Sequence, residues 1–253
     1  MSASQPYYTA LQPFRCLFQT GVPILMYHKL GPRPSGVRLK GLYIKVSLFA
    51  RQLDELRSAG FTAARLAEMP RANDNGKRPV VMTFDDGFRN VWEHGLEPLA
   101  QYGFRAIQFL VVDLLGKSND WEQTLGEVPE PLMDAVQARE WIAAGHEVGS
   151  HSLTHPYLTR LSLACAREEI SASKKKLEDF FGVAVEHFCY PYGDWNPQVR
   201  DLVSEVGYRT ACTTDFGVNN SDVSRFELKR ITARYRSRSL KTWFGRFSRL
   251  KHA

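Results

Sequence analysis

The sequence has no run approaching the roughly twenty apolar residues needed to cross a bilayer, so no helical span is expected. Cysteine is scarce. Its four copies, Cys16, Cys165, Cys189 and Cys212, are widely spaced and form no Cys-x-x-Cys pair, which argues against a disulfide frame. Residues 1–20 lack the basic start, continuous apolar stretch and small-residue cleavage site of a secretory leader. The expectation is therefore of reduced thiols, mostly core filler, in a cytoplasmic protein. There is no internal repeat, no low-complexity linker, and no recognition motif of the kind that accompanies nucleic-acid binding.

Net acidity is also absent, but the formal charge of +6 is unevenly spread. Residues 234–253 hold seven Lys or Arg and no acid, leaving 26 basic against 27 acidic residues in the body. The excess charge is thus a property of the tail and says little about what the main domain binds. From Leu240 onward the tail places Trp243, Phe244, Phe247 and Leu250 at helical spacing among basic residues. Such a helix over 233–253 could lie on an anionic membrane through residues 238–253, at the inner face of the membrane, or pack its apolar stripe on the body.

What is present is an ordinary globular mixture, 43% hydrophobic and 24% charged, and 253 residues suffice for one substantial core. Apolar strand-like runs at Pro23–Tyr27, Val80–Phe84 and Ala106–Val112 alternate with amphipathic segments. Shorter strands follow at His146–Gly149, His187–Tyr190, Tyr208–Thr213 and Phe226–Ile231. Helices are predicted from a Ser47 cap to Gly60, through Leu96 and Leu99 to Gly103, over 135–144, over 162–181 and over 197–205. Residues 113–133 read as a long irregular connection, and such loops are usually functional or mobile. Lys174, Lys175 and Lys176 read as a solvated helix face. The alternation predicts one α/β domain over 21–232 with a parallel sheet, open or closed, preceded by an extension over 1–20.

Polar motifs fall where strands end, the position at which parallel α/β folds build their sites. Thr83-Phe-Asp-Asp-Gly87 ends a buried strand on two adjacent carboxylates, which a turn at Gly87 could aim at one mouth. Two such carboxylates stay ionised only if a cation or a donor compensates one of them. The alternative is a turn whose Asp residues satisfy backbone N–H groups. His151-Ser-Leu-Thr-His155 offers two imidazoles four residues apart, able to converge on one metal, or to serve separately as core residues. Tyr190-Pro-Tyr-Gly-Asp-Trp195 could present a backbone N–H to an oxyanion, with Tyr190, Tyr192 and Trp195 as a sugar-stacking wall, or be a plain aromatic turn.

Together and in this order the three segments resemble the polysaccharide deacetylase family, carbohydrate esterase family four, whose domain is also named after the nodulation chitooligosaccharide deacetylase. Gly145-His-Glu-Val-Gly-Ser150 and Gly207-Tyr208 add to the likeness. The resemblance implies a distorted (β/α) barrel of about seven strands and a divalent metal, usually zinc, with Co2+, Ni2+ or Mn2+ as substitutes. It implies Asp85 as general base, Asp86, His151 and His155 as metal ligands, and the Tyr192 N–H as an oxyanion donor. The substrate implied is an N-acetylated sugar, as an oligosaccharide, a polysaccharide or a lipid-linked precursor.

The sequence departs from the family pattern twice. Cys189 stands where many members carry the Arg that orients the base, and no Leu-x-His motif supplies the usual late histidine. Leu25-Met-Tyr-His28 is similar to the branch containing the biofilm poly-N-acetylglucosamine deacetylases, which implies His28 as general acid. Arg230 is the candidate to replace the missing Arg beside Asp85. The same fold also hosts enzymes of cyclic ureides and other C–N amides, and a silent sugar-binding protein is a third reading.

Overall fold

The computed structural model describes residues 7–67, 69 and 78–234, with the side chains of 123–125 excepted. Ten strands form in chain order: β1 (Ile24–Tyr27), β2 (Lys29–Leu30), β3 (Tyr43–Ile44), β4 (Phe61–Ala63), β5 (Arg78–Phe84), β6 (Ala106–Leu110), β7 (Glu147–Ser150), β8 (His187–Cys189), β9 (Thr210–Phe216) and β10 (Leu228–Thr232). Helices α1 (Val46–Ser58), α2 (Arg89–Tyr102), α3 (Ala135–Ala143), α4 (Leu163–Phe181) and α5 (Pro197–Glu205) lie between them. The sheet runs β1-β10-β9-β8-β7-β6-β5, every pairing parallel, and β5 pairs back onto β1. That last ladder, from Ile24↔Val81 to Tyr27↔Phe84, closes a seven-stranded barrel. β4 lies outside the closure, on the first residues of β5.

Strand alternation sorts the apolar residues into two cores. Ile24, Val81, Ile107, Phe109, Cys189 and Leu228 fill the inside of the barrel. Leu25, Tyr27, Met82, Phe84 and Phe188 point outward and pack under the helices with Phe49, Leu53 and Trp141. The interior is tight enough to demand glycine once: a Cβ on Gly149 would sit 2.6 Å from the Phe109 ring.

Helix ends follow their capping chemistry. Asp134 and Gln137 form a reciprocal capping box at the start of α3. Ser162 caps α4, and Gly182 ends it in the left-handed conformation. The predicted Ser47 cap is not one: α1 begins at Val46, and the Lys45 carbonyl accepts from Leu48 and Phe49, leaving Ser47 inside the first turn. The lysine run is also less solvated than expected. Lys174 donates to Glu178 and to the Val185 carbonyl, and Lys176 reaches Asp113.

The first residues belong to the body. Tyr8, Phe14 and Phe18 join the outer core, and Tyr8 N–H donates to the Thr232 carbonyl at 2.9 Å. Of the predicted basic helix over 233–253, residues 235–253 lie outside the described residues, as does its expected membrane face at 238–253. Among the described residues no helix is long and apolar enough to cross a membrane.

At the end of the barrel where strands begin, burial pulls both the His146 and the His187 imidazole down to about 4. In the unfolded chain each titrates near 6.5, so the unfolded state takes up protons first as pH falls. Stability is therefore expected to decline from about pH 6.5 towards 4. Melting temperature measured across this range in chelator-treated protein should fall, and a His146→Gln/His187→Gln variant should show a flatter profile. Equal slopes for the two proteins would contradict the assignment.

Candidate metal centre

The mouth of the barrel is built where β1, β5, β7 and β8 end. On β5, alternation points Val81, Thr83 and Asp85 inward, and the Asp85 N–H continues the ladder to the Tyr27 carbonyl at 3.0 Å. Asp86 would then point outward, but its backbone is left-handed at φ 74°, and Gly87 follows at 82°. The reversal thus starts at Asp86, one residue before the predicted turn, and brings both carboxylates to the same mouth. Left-handed backbone at a non-glycine costs about 1–3 kcal/mol and marks an imposed geometry. Across the mouth, His151 leaves β7 with its N–H bonded to the Leu110 carbonyl, and the chain turns through Ser152 and His155 at φ 67° and 64°.

Three of the predicted site residues converge. The Nε2 atoms of His151 and His155 lie 3.3 and 3.4 Å from the same Oδ1 of Asp86. Their donor atoms all fall within 4.8 Å of one another, and all three residues are buried. Ligands about 2.1 Å from a tetrahedral ion stand about 3.4 Å apart, so these contacts match a zinc-sized cation. The ring chemistry also fits. His151 Nδ1 lies 2.7 Å from the Cys189 carbonyl; donating its proton there leaves Nε2 free to ligate. Burial opposes charge on Asp86, yet the two imidazoles outweigh it and hold its carboxyl well below the usual range. Burial lowers His155; at His151 burial is outweighed by Cys189 and Asp86, which hold it well above its ordinary value, with a proton that a bound cation would displace.

A second trio, Asp85, His151 and Cys189, lies within the same distance but is a poorer cation site. Burial pushes the Cys189 thiol up to about 11, so it stays protonated, and Asp85 is already taken. Arg230, reaching in from β10, donates Nη1–H to Asp85 Oδ1 and Nη2–H to Oδ2, both at 2.7 Å. Its remaining donors go to Thr213 O at 2.7 Å, Thr83 Oγ1 at 3.0 Å and Cys189 Sγ at 3.1 Å. All five guanidinium N–H groups are used. Burial alone would raise Asp85, but Arg230 overrides it and holds the carboxyl below its ordinary value. His28, just past β1, completes the group with Nε2 4.0 Å from Asp85 Oδ2; burial lowers its imidazole, with Asp86 and Asp85 partly offsetting.

The aromatic wall differs from the expectation. Tyr192, held at φ 59°, packs its ring 4.4 Å from His155 and stacks on Tyr157 at 4.0 Å. Tyr190 does not face the mouth. It follows the inward Cys189, so alternation turns it outward into the core, where its hydroxyl donates to the Phe226 carbonyl at 2.9 Å. Trp195 packs beside Tyr190, 6.2 Å between rings, on that same outer side. The wall is instead completed from the long connection, where Trp121 stacks on His155 at 4.5 Å. Beside it Glu122 accepts from Asn119 at 2.5 Å and lies 3.6 Å from the Nζ of Lys29. That ammonium is buried over the Phe88 ring. Burial pushes Glu122 up to about 7 despite the lysine. The sequence signal for Trp121 was the length of its loop; nothing marked Glu122 or Lys29.

A closed parallel barrel with an Asp-His-His cluster at its C-terminal mouth is the architecture of a barrel enzyme rather than of an open nucleotide-binding sheet. The family profile for polysaccharide deacetylase matches residues 72–211, more than half of the chain, and the protein belongs to that family. YxkH of Bacillus subtilis (strain 168) is 26% identical over 214 residues, covering 83% of this chain and 70% of that protein. The peptidoglycan-N-acetylglucosamine deacetylase PgdA of Listeria monocytogenes serotype 1/2a (strain 10403S) is 30% identical over 173 residues, covering 68% of this chain but only 32% of PgdA. Among solved structures, Streptococcus pyogenes deacetylase PplD superposes with a TM-score of 0.74 at 21% identity, over 85% of this chain and 93% of that one. IcaB from Ammonifex degensii gives 0.71 at 22%, over 90% and 96%. These two likenesses bear on the fold.

Removing Arg230 would strand a buried carboxylate, a change that typically costs about 3–5 kcal/mol. Urea denaturation at pH 7 should find Arg230→Ala destabilised by about that amount, and Arg230→Ala/Asp85→Ala should recover part of it. A loss under about 1 kcal/mol would show that Asp85 finds other compensation.

Proposed function

We propose that the protein is a divalent-metal-dependent hydrolase that removes acetyl groups from N-acetylated sugars. The observation that carries this reading is the pairing at one mouth of Asp85, held ionised by Arg230, with the Asp86-His151-His155 cluster. Membership of the polysaccharide deacetylase family supports the substrate class, and the name of PgdA points to N-acetylglucosamine units. Zinc is the cation the donor set fits first, with Co2+, Ni2+ or Mn2+ as substitutes.

A cation held by Asp86, His151 and His155 would polarise the acetyl carbonyl and lower the pKa of water at the mouth. The remaining steps belong to the chain. Asp85 takes a proton from the attacking water. Because Arg230 holds the Asp85 carboxyl low, that proton is readily given up, and His28 stands 4.0 Å away to receive it. His28 rests neutral, since burial lowers it, and it passes the proton to the amine as the C–N bond breaks. The proton count closes: of the two protons of water one reaches the nitrogen, and the other leaves with the oxygen as acetic acid, which ionises to acetate in solvent. The Tyr192 backbone N–H is assigned as a donor to the oxyanion, while the rings of Trp121 and Tyr192 pack against His155.

Acetate release from N-acetylglucosamine oligomers should vanish on chelation and return with zinc; release that ignores chelation would sink the metal reading. His28→Ala should lower turnover by about 10²–10⁴-fold at unchanged metal content. A variant with ordinary turnover would remove His28 from the proton route. The reaction needs Asp85 ionised, so activity falls as pH drops below its pKa. Arg230→Ala lifts that pKa and should move the acidic limb of the pH–rate profile to higher pH.

A further inference from the structure

The two histidines of the cluster are held in different ways. His151 is engaged at both ring nitrogens, Nδ1 by the Cys189 carbonyl and Nε2 by Asp86. His155 is not. Its Nδ1 is buried and has no hydrogen-bond partner among the described residues, although a ligating imidazole ordinarily has that second nitrogen engaged. Ring packing by Trp121 and Tyr192 restrains its tilt, but neither contact fixes where Nε2 stands along the mouth. That position is set by the turn carrying His155, which passes through left-handed backbone at Ser152 and again at His155 itself.

Each backbone N–H of this turn is held by a side chain. Ser152 N–H donates to Ser150 Oγ at 3.2 Å, and His155 N–H to Ser152 Oγ at 3.0 Å. The two between them go to one carboxylate from a different element. Glu169, on α4, accepts Leu153 N–H at 2.9 Å and Thr154 N–H at 3.0 Å on Oε2, and the Thr154 hydroxyl at 2.6 Å on Oε1. The Ser152 and Leu153 carbonyls accept from the Val112 and Asp113 N–H groups, and for the turn's own N–H groups charge-assisted bonds of this kind are the strongest available. Glu169 thus ties the tip of the loop to the long helix that flanks the barrel. None of these bonds goes to Asp86, His151 or His155.

We propose that Glu169 is a positioning residue that sets the affinity of the centre for its cation by fixing the turn that places His155. The inference rests on the metal reading above. It assigns to a carboxylate outside the ligand set the orienting task that the Cys189 carbonyl performs for His151.

The test uses the full chain, stripped of metal and titrated with Zn2+ against a chromophoric chelator, alongside apo melting temperature and the Co2+ absorption spectrum. Glu169→Ala should bind Zn2+ about 10–100-fold more weakly. Its Co2+ bands should lose intensity as His155 leaves the tetrahedral set. Glu169→Gln keeps an oxygen able to accept both N–H groups and should recover most of the affinity. Asp134→Ala, which removes the cap of α3, should lower melting temperature without altering Zn2+ affinity. If Glu169→Ala does not fold, Thr154→Val, which deletes only the Oε1 bond, should still weaken binding severalfold. Wild-type Zn2+ affinity in Glu169→Ala or Thr154→Val, whatever the melting temperature, would overturn the proposal and leave the metal reading intact. A wild-type chain that takes up no stoichiometric Zn2+ would overturn both.

Discussion

A guanidinium and a carboxylate buried together inside a barrel are expensive to desolvate, and each is tolerated only because the other is there. Arg230 and Asp85 meet this condition through two parallel 2.7 Å bonds. The rest of the interior is arranged around them. The guanidinium also takes Thr213 of β9, Thr83 of β5 and Cys189 at the end of β8. One side chain from β10 therefore cross-links four strands, including β5, whose end carries both carboxylates. Cys189 matters here as a small, neutral neighbour: protonated and buried, it leaves room for Arg230 and brings no competing charge. An Arg at that position would meet a space already filled.

The cation site depends on a different device. Strand geometry alone would scatter Asp85 and Asp86 to opposite faces and give His151 and His155 no common focus. Left-handed backbone at Asp86, Ser152 and His155 overrides that geometry. Such conformations persist because their surroundings fix them. The Gln108 carboxamide, with its oxygen towards the turn, accepts from the Gly87 and Phe88 N–H groups, and Ser150, Ser152 and Glu169 hold the histidine turn. The barrel supplies rigidity, and a few side chains outside the donor set supply aim.

How much of this was legible in the sequence follows from the range of the interactions involved. Helix α5 falls on its predicted bounds and α4 within one residue of its own, with Ser162 as its cap rather than its first residue, because capping and amphipathic spacing are local. The order of strands, and the polar residues at their ends, were equally plain. β4 was missed, being three residues long with Thr62 exposed, and β9 runs on to Phe216 beyond its apolar core. Tyr190 was read as part of a sugar wall because its neighbours belong to a motif; only the alternation set by Cys189 turns it into the core. Trp121 was marked only by the length of its loop, and Glu122 and Lys29 not at all, since the meeting of these two depends on a long connection folding back onto β2. Arg230 could be named beside Asp85 only because the motif position at Cys189 lacked its usual side chain.

The placement of Arg230 also bears on how the molecule comes into being. It stands on β10, the strand that lies between β9 and β1 and joins the last part of the chain to the first. A ribosome working from the N-terminus makes Asp85, both histidines and most of the sheet before the counter-charge exists. Until residue 230 emerges, the nascent barrel has a gap where β10 belongs and an uncompensated carboxylate facing its interior. Sealing of the sheet and compensation of Asp85 are thus one event, placed after β10 has been made, and a fragment cut short of β10 would forfeit both together.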